Sequence, residues 1–146
     1  MYIARMNIRN TQFVFALLGA ASSIEGRLNR VLSNVKGISF TEYFLLEQLK
    51  DFHNGSATRV DLARAVHLSP SAVTRALKPL EKIGYVNTVK GERDARQSVA
   101  TLTTAGEELL KDSNALVLDE IASLPIPRAL RSELTGVLNN LGSVKH

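Results

Sequence analysis

Apolar residues recur at helical spacing along most of the chain. Leu17, Ala21, Ile24, Leu28, Leu32 and Val35 lie three or four residues apart, which predicts a first helix from about Thr11 to Asn34 that ends at Lys36-Gly37. Its early part carries a second stripe, Val14 and Leu18 beside Phe13 and Leu17, so more than one side calls for burial and a partner subunit is expected. Ser39-Phe40-Thr41-Glu42 has the form of a capping box and opens a second helix that closes at His53-Asn54-Gly55. Thr58 with Asp61 opens a short third helix ending near Val66. After only His67-Leu68, Ser69-Pro70 supplies an N-cap and a proline at the first helical position, where its missing amide is harmless. Two short helices across so tight a turn form a helix-turn-helix pattern.

The fourth helix, about Pro70 to Lys82, is the most informative. At 100° per residue, Val73, Ala76, Leu77 and Leu80 fall on one side and Ser71, Arg75, Lys78 and Lys82 on the other, with Thr74 on its flank. The second face is made of side chains that hydrogen-bond phosphates and base edges, and Arg75 is able to address a guanine bidentately. The same pattern also describes an ordinary solvated helix surface; the tight turn before it favours the recognition reading. Pro79 removes the bond to the carbonyl of Arg75, and a kink is expected there. Beyond Gly84 the period changes. Tyr85–Val89 and Arg96–Leu102 are β-rich and flank a charged turn, which predicts a hairpin. Directly behind a recognition-type helix this hairpin is a wing. Its Lys90, Arg93 and Arg96 can follow the DNA backbone or enter a minor groove, with Asp94 holding a cation such as Arg96 in place.

Thr103-Thr104 can cap a fifth helix carrying Leu109, Leu110, Leu116, Val117, Ile121 and Leu124, interrupted by Pro125-Ile126-Pro127. A sixth follows, with Leu130, Leu134, Val137, Leu138 and Leu141 as its stripe and Gly142 at its end. So much apolar surface on the first, fifth and sixth helices exceeds the needs of a small DNA-binding lobe. A dimer interface is one account of it and a single larger core the other.

Charge sharpens this picture. The chain carries +4 overall, and the excess is central: residues 1–57 balance at +2, residues 58–101 at +4 and the remainder at −2. A basic centre points to a polyanion met by the middle of the chain, against the alternative of a solvated charged surface. With 146 residues, 45% hydrophobic and 22% charged, the composition fits one globular domain. No cysteine is present, which excludes disulfides, zinc-thiolate sites and thiol redox sensing. His53, His67 and His146 are scattered without metal-ligand spacing, and no catalytic serine constellation or phosphate-binding glycine loop occurs. The chain is read as non-enzymatic, without metal or cofactor. Arg5 and Arg9 followed by an apolar run imitate a signal peptide, but the helical register continues past the supposed cleavage site. The run is also too short to span a bilayer. A cytoplasmic protein with no membrane partner is expected.

Leu62-Ala63, the run from Leu68 to Arg75, the run from Leu80 to Val86, Asp94-Ala95-Arg96 and Leu102-Thr103-Thr104-Ala105-Gly106 closely resemble the MarR family of bacterial winged helix-turn-helix transcriptional regulators. The likeness is strong over about Ser39 to Leu110, and Asp-x-Arg followed by Leu-Thr-x-x-Gly is its most specific part. Pro79 departs from the family's usual unbroken helix and puts the aim of Lys78 and Lys82 in question. The resemblance implies a homodimer joined by its first and last helices, with the fourth helix in the major groove and Arg96 in the minor groove.

The expected fold is therefore mainly α with a small β-hairpin wing. Residues 39–102 form the winged helix-turn-helix lobe, and residues 1–36 and 103–146 the dimerisation helices of one domain spanning 1–146. The expected DNA-contacting set is Ser69, Ser71, Thr74, Arg75, Lys78, Lys82, Lys90, Arg93, Asp94 and Arg96. The expected function is sequence-specific regulation of transcription as a homodimer on near-palindromic double-stranded DNA, with repression the leading sign; the alternative is a protein-interaction module of the same shape. Ligands of the family are often aromatic anions, so a small aromatic or anionic effector is expected. Phe40, Tyr43 and Phe44 lie near such a place, although core packing explains them more simply.

Overall fold

A computed structural model describes residues 2–90 and 97–143, and side chains from Thr11 onward. Arg93, Asp94 and Arg96, expected at the wing tip, lie outside the described residues. The elements run α1 (Tyr2–Lys36), α2 (Phe40–Asp51), β1 (Ser56–Thr58), α3 (Arg59–Val66), α4 (Pro70–Ile83), β2 (Val86–Val89), β3 (Val99–Leu102), α5 (Thr104–Ala122) and α6 (Arg128–Gly142).

Local signals set most helix starts. Ser39 Oγ accepts from the Glu42 amide at 3.0 Å and Glu42 Oε1 from the Ser39 amide at 2.9 Å, closing the capping box of α2. Thr58, Ser69 and Thr103 cap α3, α4 and α5 through their side-chain oxygens, which accept from the amides of Asp61, Ala72 and Gly106. Helix α1 is longer than its apolar spacing predicts: it begins at Tyr2, not near Thr11. No glycine or proline stands between Tyr2 and Thr11 to stop a helix, and Ala4, Arg5, Met6 and Arg9 are good helix formers.

Helix α2 is the hub, packed against α1, α3, α4, α5 and β3. Its Leu45, Leu46 and Leu49 are fully buried together with Leu32, Leu62, Leu77, Leu80 and Leu110, each contributing about 1.5–3 kcal/mol of transfer free energy. Two ion pairs fasten α1 to α5, Arg27 to Glu120 at 3.0 Å and Lys36 to Asp112 at 3.3 Å. The hairpin strands β2 and β3 pair antiparallel with Val89 opposite Val99, and β1 adds a third strand on the other side of β3, Ala57 opposite Ala100. That strand has only three residues, too few for a pattern to announce it, and its pairing with β3 makes it a strand.

The turn between α3 and α4 closes on His67, in the left-handed region at φ 56° and ψ 38°. A Cβ is strained there. His67→Gly is expected to stabilise the fold by roughly 0.5–1 kcal/mol, read as a higher melting temperature. A lower one would mean the imidazole makes a contact that offsets the strain.

Candidate nucleic-acid interface

Helix α4 is anchored by its inner face, where Val73, Leu77 and Leu80 are fully buried. That fixes the opposite face outward: Ser71, Arg75, Lys78 and Lys82 are all exposed, as the sequence period requires. Ser69 sits at the N-cap, accepts from the Ala72 amide at 3.2 Å and shares a hydrogen bond with the Ser71 hydroxyl at 3.1 Å. The helix is continuous from Pro70 to Ile83, so the kink expected at Pro79 does not break it. Pro79 is exposed, and the carbonyl it leaves without a helical donor belongs to an outward residue, Arg75, where water can satisfy it.

Among the described residues neither Arg75, Lys78 nor Lys82 takes part in an ion pair. Glu81, the single acid of α4, is held away by the Thr88 hydroxyl, which donates to its carboxylate and ties the end of α4 to the wing. The result is a row of hydroxyls and unpaired cations about 16 Å long, counting 1.5 Å per residue from Ser71 to Lys82. Lys90, at the end of β2, is exposed as well.

Thr74 behaves differently from the donor expected of it. Its hydroxyl proton goes to the carbonyl of Pro70 at 3.0 Å, and the oxygen accepts from Arg59 Nη1 at 3.0 Å. Arg59 is absent from the set read from the sequence, because its partner lies on the next helix and no local periodicity connects the two.

The aromatic cluster of α2 is packing. Phe40 and Phe44 stack with centroids 5.9 Å apart and lie against the core, and Tyr43 is 8% exposed. The Tyr43 phenol donates to Asn114 Oδ1 of α5 at 2.6 Å, and burial, then the nearby Glu47 carboxylate, pushes its pKa up to about 12. Beside it, Lys50, Glu107, Leu110, Lys111 and Asn114 line an open groove of about 360 Å³ between α2 and α5. Its two lysines come from helices distant in sequence, and no motif announces them. Among the described residues no cluster of three or more metal-ligating side chains occurs, and no helix is long and apolar enough to cross a membrane.

Residues 38–98, from just before α2 to just before β3, match the MarR family. Over that segment the chain is similar to the family. The matched segment holds α4 and its donor face. An HTH-type transcriptional regulator of Bacillus subtilis (strain 168), YwhA, is 30% identical over 97 residues, a match covering 64% of each chain, so this chain spans less than two-thirds of that relative. The likeness of fold to solved structures extends beyond the matched segment. Sco3205, a MarR family transcriptional regulator from Streptomyces coelicolor solved in complex with DNA, superposes with a TM-score of 0.80 over 90% of this chain and 85% of its own, at 24% identity. CouR from Rhodococcus jostii RHA1, solved bound to p-coumaroyl-CoA, superposes with a TM-score of 0.78 over 92% and 94%, at 20% identity. At such identities the likeness is one of fold.

Proposed function

We propose that this protein is a homodimeric, sequence-specific DNA-binding regulator of transcription. The observation that carries the reading is the outer face of α4, where Ser71, Arg75, Lys78 and Lys82 are exposed and the three cations are unpaired among the described residues, delivered by a tight turn from α3. A helix so presented fits a major groove, with hydroxyls and cations positioned on phosphates and Arg75 reading a base. Residues 39–102 serve as the DNA-binding lobe, the wing adding Lys90, Arg93 and Arg96, with Asp94 orienting a cation at its tip. Helices α1, α5 and α6 serve as the dimer interface. Binding excludes other proteins from the site, which is repression where the site is a promoter. Two lobes related by a twofold axis call for a near-palindrome with half-sites about one helical turn apart.

Ligand control is part of the proposal. The relative CouR was solved with p-coumaroyl-CoA bound, and the groove between α2 and α5 here offers Lys50 and Lys111 to an anionic effector. Such a ligand would act by favouring one spacing of the two recognition helices over another.

The test is binding to DNA from upstream of the protein's own gene and to scrambled DNA of equal length at several salt concentrations. Tight, footprinted binding to a near-palindrome supports the regulator. Equal, weak and steeply salt-dependent binding to both would favour a protein-interaction module with a basic surface. Arg75→Ala should weaken specific binding by about 1–3 kcal/mol, roughly ten- to hundredfold, and relax the preference at one base position. Its melting temperature should not change, because the side chain is exposed. Wild-type affinity in this variant would remove Arg75 from the interface.

A further inference from the structure

Arg59 sits where local stability argues against it. It is the first residue of α3, and a cation in the first turn opposes the positive end of the helix dipole. The terminus does not need it, since Thr58 caps the helix and Asp61 supplies the favoured negative charge. The side chain instead crosses to the recognition helix, where Nη1 donates to Thr74 Oγ1 at 3.0 Å. Thr74 is itself fixed by its bond to the Pro70 carbonyl at 3.0 Å, so the hydroxyl is a rigid peg. The guanidinium is half-buried and its remaining valences are not met: Nε is buried without a hydrogen-bond partner, and Nη2 makes no hydrogen bond among the described residues. Among the described residues no carboxylate pairs with it, for the nearby Asp61 is directed to Arg64 at 3.8 Å. A guanidinium locked in one orientation, with an open end and no counter-charge, is prepared for an oxyanion.

We propose that Arg59 is a further DNA-contacting residue, a phosphate clamp whose Nη2 takes a backbone oxygen beside the groove entered by α4, with Thr74 as the positioning residue that holds it. The proposal rests on the DNA-binding reading above. It assigns Thr74 a different task from that of Ser71 and Arg75: Thr74 carries no base readout and acts through Arg59. Because the contact is to phosphate, it contributes to affinity on every sequence and to discrimination on none.

The full-length protein, titrated by fluorescence anisotropy onto its operator and onto scrambled DNA across a salt series, tests this with Arg59→Gln, Arg59→Lys and Thr74→Val. Arg59→Gln should lower affinity for both DNAs by the same factor. It should reduce the slope of log K against log salt by about one per half-site occupied, with the melting temperature unchanged. Arg59→Lys should keep the slope, since the charge remains. Thr74→Val should keep the slope and lose about fivefold in affinity, as the charge remains but is no longer held. The proposal is overturned if the wild type binds its operator and Arg59→Gln has the wild-type slope. A fall in melting temperature with that unchanged slope would make Arg59 a strut between α3 and α4. If Arg59→Gln does not fold, an unchanged affinity in Thr74→Val overturns the clamp on its own. A wild type that binds no DNA overturns the DNA-binding reading, and this proposal with it.

Discussion

Replacing both Leu134 and Leu138 with aspartate is expected to convert a dimer into a monomer and to weaken operator binding by about a hundredfold or more. No residue of α6 is buried within the chain, and its stripe stays open to solvent, Leu130 at 50%, Leu134 at 41%, Val137 at 56%, Leu138 at 39% and Leu141 at 51%. The early part of α1 does the same with Phe13 at 62%, Phe15 at 66% and Leu18 at 61%. Two helices with unburied apolar stripes are what a second copy of the chain would cover. Carboxylates set into that contact face desolvation without a partner and should separate the protomers. Each protomer would keep its fold, because neither leucine belongs to the core cluster. DNA binding falls because two lobes joined in one dimer engage two half-sites with a high effective concentration that a lone lobe lacks. Sedimentation of wild type and variant at micromolar concentration, followed by anisotropy on the operator, reads both effects. A wild type that sediments as a monomer would refute the dimer, and an unchanged dimer in the variant would move the interface away from α6.

Gly106→Ala should cost about 3 kcal/mol, the upper part of the range for forcing extra atoms into a packed interior. A Cβ at Gly106 would lie 2.3 Å from the Tyr85 carbonyl oxygen and 2.7 Å from Leu102 Cδ1. The carbonyl cannot give way cheaply, since it accepts the Thr103 amide at 3.1 Å and thereby joins the base of the wing to the start of α5. Adjacent bonds hold the same junction: the Thr103 hydroxyl donates to the Gly84 carbonyl at 2.7 Å and accepts from the Gly106 amide at 3.1 Å. Relief requires α5 to move away from the end of α4, and with it the wing. At about 2–4 °C per kcal/mol for a chain of this size, the melting temperature should fall by roughly 10 °C. A change of less than about 2 °C would show that α5 shifts freely over the lobe.

The reach of each interaction along the chain divides what could be read in advance from what could not. The Ser39–Glu42 box and the caps at Thr58, Ser69 and Thr103 close within three residues, so the residues that form them stand side by side in the sequence. The two faces of α4 follow from 3.6 residues per turn, and Val73, Leu77 and Leu80 are buried where that period puts them. Strand β1 was not legible: Ser56 reaches its partner hydroxyl on Thr101 across 45 positions, and three residues are too short a run for their alternation to stand out. The extra turns of α1 were hidden because the basic residues at its start, Arg5 and Arg9, look like a polar flank, while nothing there breaks a helix.

By itself, then, the sequence determined the helix-turn-helix with its wing, the outward row of Ser71, Arg75, Lys78 and Lys82, and the apolar stripe of α6, because periodicity and capping are properties of neighbouring residues. Tertiary structure decided the rest. It tied Thr74, on the flank of the donor row, to Arg59 of α3, it bonded Glu81 to Thr88 of the wing, and it placed Lys50 and Lys111 along one groove. Those outcomes depend on which helices meet and at what spacing, and that is set by burial of the shared core around α2.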